Sequence, residues 1–397
     1  MKPNHPFLLT LNGGSSSIRF ALYRMDGTLA RGLSGKLDRI GMPGMGLTFQ
    51  DPVGEVEESL PLTLEAGVAP EEWLLGWLEA RPEFASIKAV GHRVVHGMER
   101  TGPEWVAETL IEGLNGIVEC DPEHLPRAIA LMDTVRRRHP ELRQVACFDT
   151  AFHRTLPRVA RLLPIPRRYD AKGIQRYGFH GLSYAYLMEE LTARGDAAAA
   201  KGRVILAHLG NGASMAAVRD GCSVETSMGF TPTAGLVMGR RSGDLDPGVA
   251  AFLWRTEGLS LAAYSRMVSS ESGLLGISET SSDMRDLLSR APGDVRAAEA
   301  VDLFCHQAKK CVGSYAAVLG GLDTLVFAGG IGENCPTVRA LICEGLGFLG
   351  IELQPERNAE NAPVISRAGG RVVVRVIRTD EELMIARAVS RLMDGVV

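Results

Sequence analysis

The sequence predicts an α/β fold built from two similar lobes, and three observations lead to that expectation. Short apolar runs alternate with amphipathic helical patterns over most of the chain, which is how sheets flanked by helices read in sequence. One local design, strand then glycine-rich turn then strand, occurs at 7–23 and again at 204–218. Two copies about half a chain apart point to an internal duplication. No Pro/Ser-rich linker or low-complexity tract interrupts the 397 residues, of which 45% are hydrophobic and 23% charged. That composition supplies a sizeable core, and two closely packed lobes with a cleft between them are expected.

The elements follow in order. Residues 7–11 form an apolar strand, Asn12-Gly13-Gly14-Ser15-Ser16-Ser17 a tight turn, and residues 18–23 a second strand. Residues 89–95 and 144–148 read as short buried strands, and 126–138 and 183–194 as amphipathic helices. The opening design returns as strand 204–209, turn Gly210-Asn211-Gly212-Ala213-Ser214 and strand 215–218. A long helical pattern covers 295–319, and a buried strand at 324–327 leads into a third glycine-rich turn, Gly329-Gly330-Ile331-Gly332-Glu333-Asn334. Strand 371–378 and helix 380–393 close the chain.

Composition excludes several classes of function. Lys plus Arg total 43 and Asp plus Glu 47, a formal net charge of −4, so there is no basic footprint for nucleic acid or an anionic membrane. The seven cysteines are odd in number and scattered, with no C-x-x-C pair. This argues against a disulfide framework or thiolate zinc site and for a reducing compartment. The N-terminal apolar run is too short for a signal-peptide core, and the most apolar stretch, 312–332, carries Asp323 and paired glycines. No membrane span is expected, and the cytoplasm is the expected location.

The 45 glycines, about 11% of the chain against about 7% on average, are the first pointer to chemistry. A Gly/Ser-rich turn can aim successive backbone N–H groups into one concavity that binds phosphate oxygens; a plain hairpin is the alternative for any single turn. Three such turns favour phosphate cradles. Arg93 lies within an apolar strand, where a buried guanidinium needs an anion, either a ligand or a structural carboxylate. Asp149 ends a strand, where it could bind a metal or cap the next helix. His180, flanked by glycines in Tyr177-Gly178-Phe179-His180-Gly181, and Arg241, in Gly239-Arg240-Arg241-Ser242-Gly243-Asp244, could be ordinary loop residues. Together with the cradles they supply what phosphoryl transfer needs: positioning and cationic stabilisation of a negatively charged transition state.

These segments, with His208-Leu209-Gly210-Asn211-Gly212-Ala213-Ser214, Thr226-Ser227-Met228-Gly229-Phe230-Thr231-Pro232, Ser281-Ser282-Asp283-Met284-Arg285 and Thr379-Asp380-Glu381-Glu382-Leu383, resemble the acetate kinase family in content and order from about residue 7 onward. The resemblance implies two duplicated ribonuclease-H-like lobes with a nucleotide cleft between them. Residues 1–150 with about 380–397 would form the substrate and magnesium side, and 151–379 the nucleotide-binding side. It implies ATP-dependent phosphorylation of acetate, or of another short acid such as propionate, with ATP/ADP as co-substrate, Mg2+ or Mn2+ as cofactor, and a homodimer. Asp149 and Glu381 would organise the metal with Asn12 beside it. Arg93 and Arg241 would grip the carboxylate and the transferring phosphoryl group, and His180 would donate to that group, with His124 facing it. Arg19, His208, Leu209, Gly210, Asn211 and Gly212 would serve the phosphates, Asp283, Met284 and Arg285 the adenosine, and Gly330, Ile331, Gly332, Glu333 and Asn334 the nucleotide's other side. Val95, Phe179 and Pro232 would wall the acyl methyl. A nucleotide switch without an acyl acceptor is the alternative from another class, and Arg93, His180 and Arg241 speak against it because a switch needs no cations aimed at an acceptor.

Some positions depart from the family pattern. Arg19 stands for the usual Lys, Met98 for a Gly, Glu225 for an Asp, Arg240 for a Thr and Gly329 for an Ala. Glu123, before His124, stands where the family has an apolar residue that helps wall the acyl pocket. A carboxylate there would repel a carboxylate substrate unless it points to solvent or meets a cation such as Arg240, so altered substrate preference is expected.

Overall fold

The computed structural model describes residues 5–14, 16–51, 57–65, 67–194 and 200–395; Ser15, within the first glycine turn, lies outside them. The chain divides into two compact units, Met1–Phe152 with Asp380–Val397, and His153–Thr379.

In the first unit every position of β1 (Phe7–Gly13) is buried, because it is a central strand covered on both faces. It pairs antiparallel with β2 (Ser17–Arg24) and parallel with β6 (Ile87–Val94). Outward from these lie β3 (Arg31–Asp38), β4 (Gly46–Gln50) and β5 (Glu57–Pro61) on one side, and β8 (Arg143–Phe148) and β7 (Glu104–Trp105) on the other, in the order β5-β4-β3-β2-β1-β6-β8-β7. Period-two alternation sorts the side chains. Leu9 and Leu11 pack with Leu74, Leu75 and Leu78 of helix Pro70–Glu79 and with Leu131 and Val135 of helix Leu125–Arg138. The opposite face presents Thr10 and Asn12, with Gly91 beside Thr10 in register. There the terminal helix Glu381–Met393 lies so close that a Cβ on Gly91 would stand 2.4 Å from Ile385 Cγ2 and 2.7 Å from Val389 Cγ2. Asp380 caps this helix by accepting the Leu383 N–H at 2.9 Å, which puts Glu381 and Glu382 in its first turn over the end of β1.

In the second unit β9 (Arg203–Leu209) is central. It pairs antiparallel with β10 (Ala213–Arg219) and parallel with β12 (Thr324–Ala328), and β11 (Cys222–Thr226) and β13 (Val373–Val376) complete the order β11-β10-β9-β12-β13. The stretch β3-β2-β1-β6-β8 of the first unit has this same order and the same antiparallel-then-parallel pairing. The long helix Val295–Leu319 begins at Asp294, whose carboxylate accepts the Arg296 and Ala297 N–H groups, and ends at Gly320 in the left-handed region.

The long helix is found over the residues the sequence pattern gave, and both opening hairpins form. Residues 329–334, expected as a turn, are instead a short helix, Gly329–Asn334. The strand expected at 371–378 is confined to Val373–Val376. Strands β3, β4, β5 and β7 carry no alternation strong enough to be read from sequence. Among the described residues no helix is long and apolar enough to cross a membrane, and all seven cysteines are free thiols.

Candidate active site

The first unit gathers its polar groups at one end of β1 and β6. Arg93, in β6, turns its Nε to Asp149 Oδ1 (3.1 Å) and its Nη2 to Asp149 Oδ2 (2.6 Å), while Nη1 reaches Asn12 Oδ1 (3.2 Å) and Glu381 Oε2 (3.1 Å). Asn12 Nδ2 in turn donates to Glu381 Oε2 and Glu382 Oε1, both at 3.1 Å. Asp149 is fully buried where β8 ends and is held in two-point contact with the guanidinium. Burial opposes the charge on Arg93, but Asp149 and Glu381 outweigh it and its pKa rises. Burial and then Glu381 push the Glu382 carboxyl up, with Arg19 and Asn12 pulling the other way. Arg19, exposed on β2, sits directly opposite Asn12 in the β1–β2 register and therefore on this same face. Sequence reasoning missed Glu382, which bonds Asn12; its place one residue after Glu381 was the available signal. Val95 is buried just beyond β6.

His124 precedes the helix Leu125–Arg138, and its Nδ1 meets Asp121 Oδ1 at 2.7 Å. Glu123 beside it is half-buried. Met98, at the position that departs from glycine, adopts φ 52°, a left-handed conformation that explains why glycine suits it.

The second unit gathers histidines and glycines. His180 itself takes the left-handed conformation, φ 57°, immediately before helix Gly181–Ala193. Its Nδ1 meets Ser214 Oγ at 2.8 Å, and that hydroxyl also pairs with the buried Tyr184 OH. The ring stacks on His208, centroids 4.2 Å apart. His208 Nδ1 meets Ser183 Oγ at 2.8 Å, which continues to Thr379 Oγ1. His153 braces the segment from behind by donating through Nε2 to the Phe179 carbonyl (3.1 Å), and burial pushes its pKa down to about 4. A Cβ on Gly212 would lie 3.3 Å from His180 Nε2 and 3.7 Å from Arg241 Nη1, so the glycine keeps open the space that both side chains border. Arg241 Nη1 also donates to the Pro232 carbonyl at 3.4 Å. Phe179 and Pro232 are buried. Because β9 and β12 are parallel neighbours, Gly210 after the one lies beside Gly330 after the other.

Residues 7–387 match the model of the acetokinase family. The chain belongs to the acetokinase family. The acetate kinase of Rhodopseudomonas palustris (strain TIE-1) is 42% identical over 98% of both chains, and the propionate kinase of Citrobacter rodentium is 41% identical over 97% of this chain and 96% of its own. The crystal structure of a propionate kinase from Francisella tularensis subsp. tularensis SCHU S4 is similar with a TM-score of 0.89 at 36% identity, over 96% of this chain and 98% of that one.

The remaining expected nucleotide residues of the chain are partly engaged with one another. Asp283 caps helix Met284–Arg290 by accepting the Arg285 N–H (2.9 Å) and pairs with the Arg285 guanidinium (2.6 Å), both exposed, while the Met284 side chain packs inward at 3% exposure. Glu333 does not project outward: Oε1 accepts the N–H groups of Gly329 (2.9 Å) and Thr379 (3.0 Å), tying the two segments together. Asn334 Nδ2 donates to the Gly330 carbonyl. Leu209 is buried, whereas Asn211 and Gly330 are exposed and Ile331 half-exposed. Gly332 is buried in the short helix.

Proposed function

We propose that this acetokinase transfers the γ-phosphoryl group of ATP to a short-chain carboxylate, acetate first, releasing ADP and an acyl phosphate reversibly. The observation that carries the reading is the Arg93 cluster: a partly exposed guanidinium held in fixed orientation by Asp149, Asn12 and Glu381, the kind of cation an anionic acceptor requires. A carboxylate oxygen would attack the γ-phosphorus in line, and no covalent enzyme intermediate is needed. Arg93 and Arg241 would orient the acceptor and the phosphoryl group. His180 and His124 would face the phosphoryl oxygens, and the turn His208–Gly212 would cradle the phosphates with Arg19, Gly330, Ile331 and Asn334 serving the nucleotide, while Glu333 holds that segment in place. Asp283 and Arg285 would meet the adenosine, and Val95, Phe179 and Pro232 the acyl methyl.

Hard oxygen donors suit magnesium. Among the described residues no three His, Cys, Asp or Glu side chains form a cage for a metal ion. A magnesium ion usually needs only one or two carboxylates besides phosphate oxygens and water, and Asp149 and Glu381, which flank the Arg93 guanidinium, with Asn12 beside Glu381, would provide that. When bound, the ion would neutralise charge on the nucleotide phosphates. Location in the cytoplasm agrees with the seven free thiols.

A homodimer is supported by helix Gly248–Glu257, which has no buried residue and exposes Phe252 at 57% and Trp254 at 66%, with Leu261 at 83% nearby. Large apolar side chains left this exposed are the kind a partner surface would cover.

ATP, magnesium and a panel of short acids, with hydroxylamine to trap acyl phosphate, test the reading. Absence of hydroxamate from every acid would end it. Propionate is the second reading, favoured by the propionate kinase among the relatives. Glu123→Leu is expected to change the KM for acetate and propionate several-fold. Unchanged constants would remove Glu123 from the acyl pocket.

A further inference from the structure

We infer that Asp121 is a positioning residue that fixes the ring of His124 for the reaction. The inference rests on the reading that His124 faces the transferring phosphoryl group, and it adds a residue to which no role has been given. Asp121 is 2% exposed. Its Oδ1 accepts from His124 Nδ1 at 2.7 Å, and its Oδ2 is buried without a hydrogen-bond partner.

A buried carboxylate costs stability unless its oxygens are paired. The ordinary structural uses of an aspartate here are not made. The helix that starts at Leu125 has His124 at its N-cap with no side-chain cap, so Asp121 does not cap it. No cation other than the imidazole pairs with its carboxylate among the ion pairs of the described residues. What the segment does instead is hold the two residues in register. The Asp121 carbonyl accepts the N–H of Leu125 at 3.1 Å and of His124 at 3.4 Å, closing one turn that brings the carboxylate at i and the ring at i+3 together. An ionised carboxylate only accepts, so the proton between them belongs to Nδ1. Asp121 therefore selects the Nδ1–H tautomer, fixes the ring plane and directs Nε2 away from itself. A carboxylate behind an imidazole sets tautomer and orientation in this way at other reactive histidines. A fixed ring orientation matters because transfer tolerates little misplacement of groups around the phosphoryl oxygens.

The test uses the full-length enzyme with 15N-labelled histidine and the variants Asp121→Ala, Asp121→Asn, His124→Ala and the double Asp121→Ala/His124→Ala. In the wild type the His124 resonances are expected to report a proton on Nδ1; in Asp121→Ala they move towards the other tautomer. Turnover in Asp121→Ala is expected to fall roughly 10-fold or more with KM for ATP unchanged, and Asp121→Asn to retain part of it. In the His124→Ala background the Asp121→Ala change should add less than about 2-fold. An unchanged tautomer and turnover in Asp121→Ala, or an equal loss in both backgrounds, overturns the proposal. Turnover preserved in His124→Ala removes the role of His124 itself and this inference with it, while the labelled spectrum still reports whether the dyad exists.

Discussion

Met98 and two buried histidines show how single residues store free energy in this chain. Met98 holds a left-handed backbone with φ 52°, which costs a side-chain-bearing residue about 1–2 kcal/mol. Met98→Gly removes that strain and adds about 0.5–1 kcal/mol of unfolded-chain entropy to be lost. The variant is therefore expected to gain about 0.5 kcal/mol in urea denaturation, and a loss of stability would refute the strain. His92, whose Nε2 meets Gln144 Oε1 at 2.7 Å, and His153 are buried and neutral, their pKa values pushed down to about 4. Unfolded, both take up protons near the ordinary value of about 6.5. The unfolded state then binds more protons below that pH, so stability present above 6.5 is lost as pH falls from 6.5 towards 4. The urea midpoint should drop between pH 7.5 and 5, and His92→Gln should flatten that drop. An equal slope in the variant would contradict the assignment.

At the scale of elements, the terminal helix sets the carboxylates. Its ridge of Ile385 and Val389 seats against bare backbone at Gly91, and its capped first turn then delivers Glu381 to Arg93 and Asn12. Gly91→Ala places a methyl group 2.4 Å from Ile385 Cγ2. Ile385 and Val389 must shift, at about 1–3 kcal/mol, and as the helix that carries them gives way Glu381 moves with it, so turnover should fall further than the melting temperature suggests. Ile385→Ala in the same chain opens the seat and should restore much of both. Activity at the wild-type level in Gly91→Ala alone would show that the helix position is not what places Glu381.

For the molecule as a whole, the helix Gly248–Glu257 buries none of its residues. Phe252, Trp254 and Leu261 are each largely exposed, and a second copy of the chain is the expected cover. Sedimentation of the wild type should give a dimer, and Phe252→Asp with Trp254→Asp should give a monomer with retained secondary structure. A wild-type monomer across the micromolar range would rule the interface out.

The glycine turns, the buried arginine in a strand and the order of motifs were legible in the sequence, because each is a local pattern of hydrophobicity, backbone freedom or charge. So were the two opening hairpins and the helix Val295–Leu319, whose apolar stripe and capping residues lie within one segment. The sequence by itself therefore determined the α/β class, the duplication and the family. It could not determine the partners of those residues. Arg93 was open between a ligand anion and a structural carboxylate, and only the pairing of β6 with β1 and β8 brought Asn12 and Asp149 beside it, and the packing of Glu381–Met393 brought Glu381. Glu333 reads as a ligand-facing residue in a glycine-rich run, yet tertiary contacts turn it back onto Gly329 and Thr379. The pairing of Asp121 with His124 is close in sequence, but its meaning depends on the burial of the carboxylate. Local propensity is written residue by residue, whereas the cost of burying a charge, and the partner that offsets it, exist only once distant segments have packed.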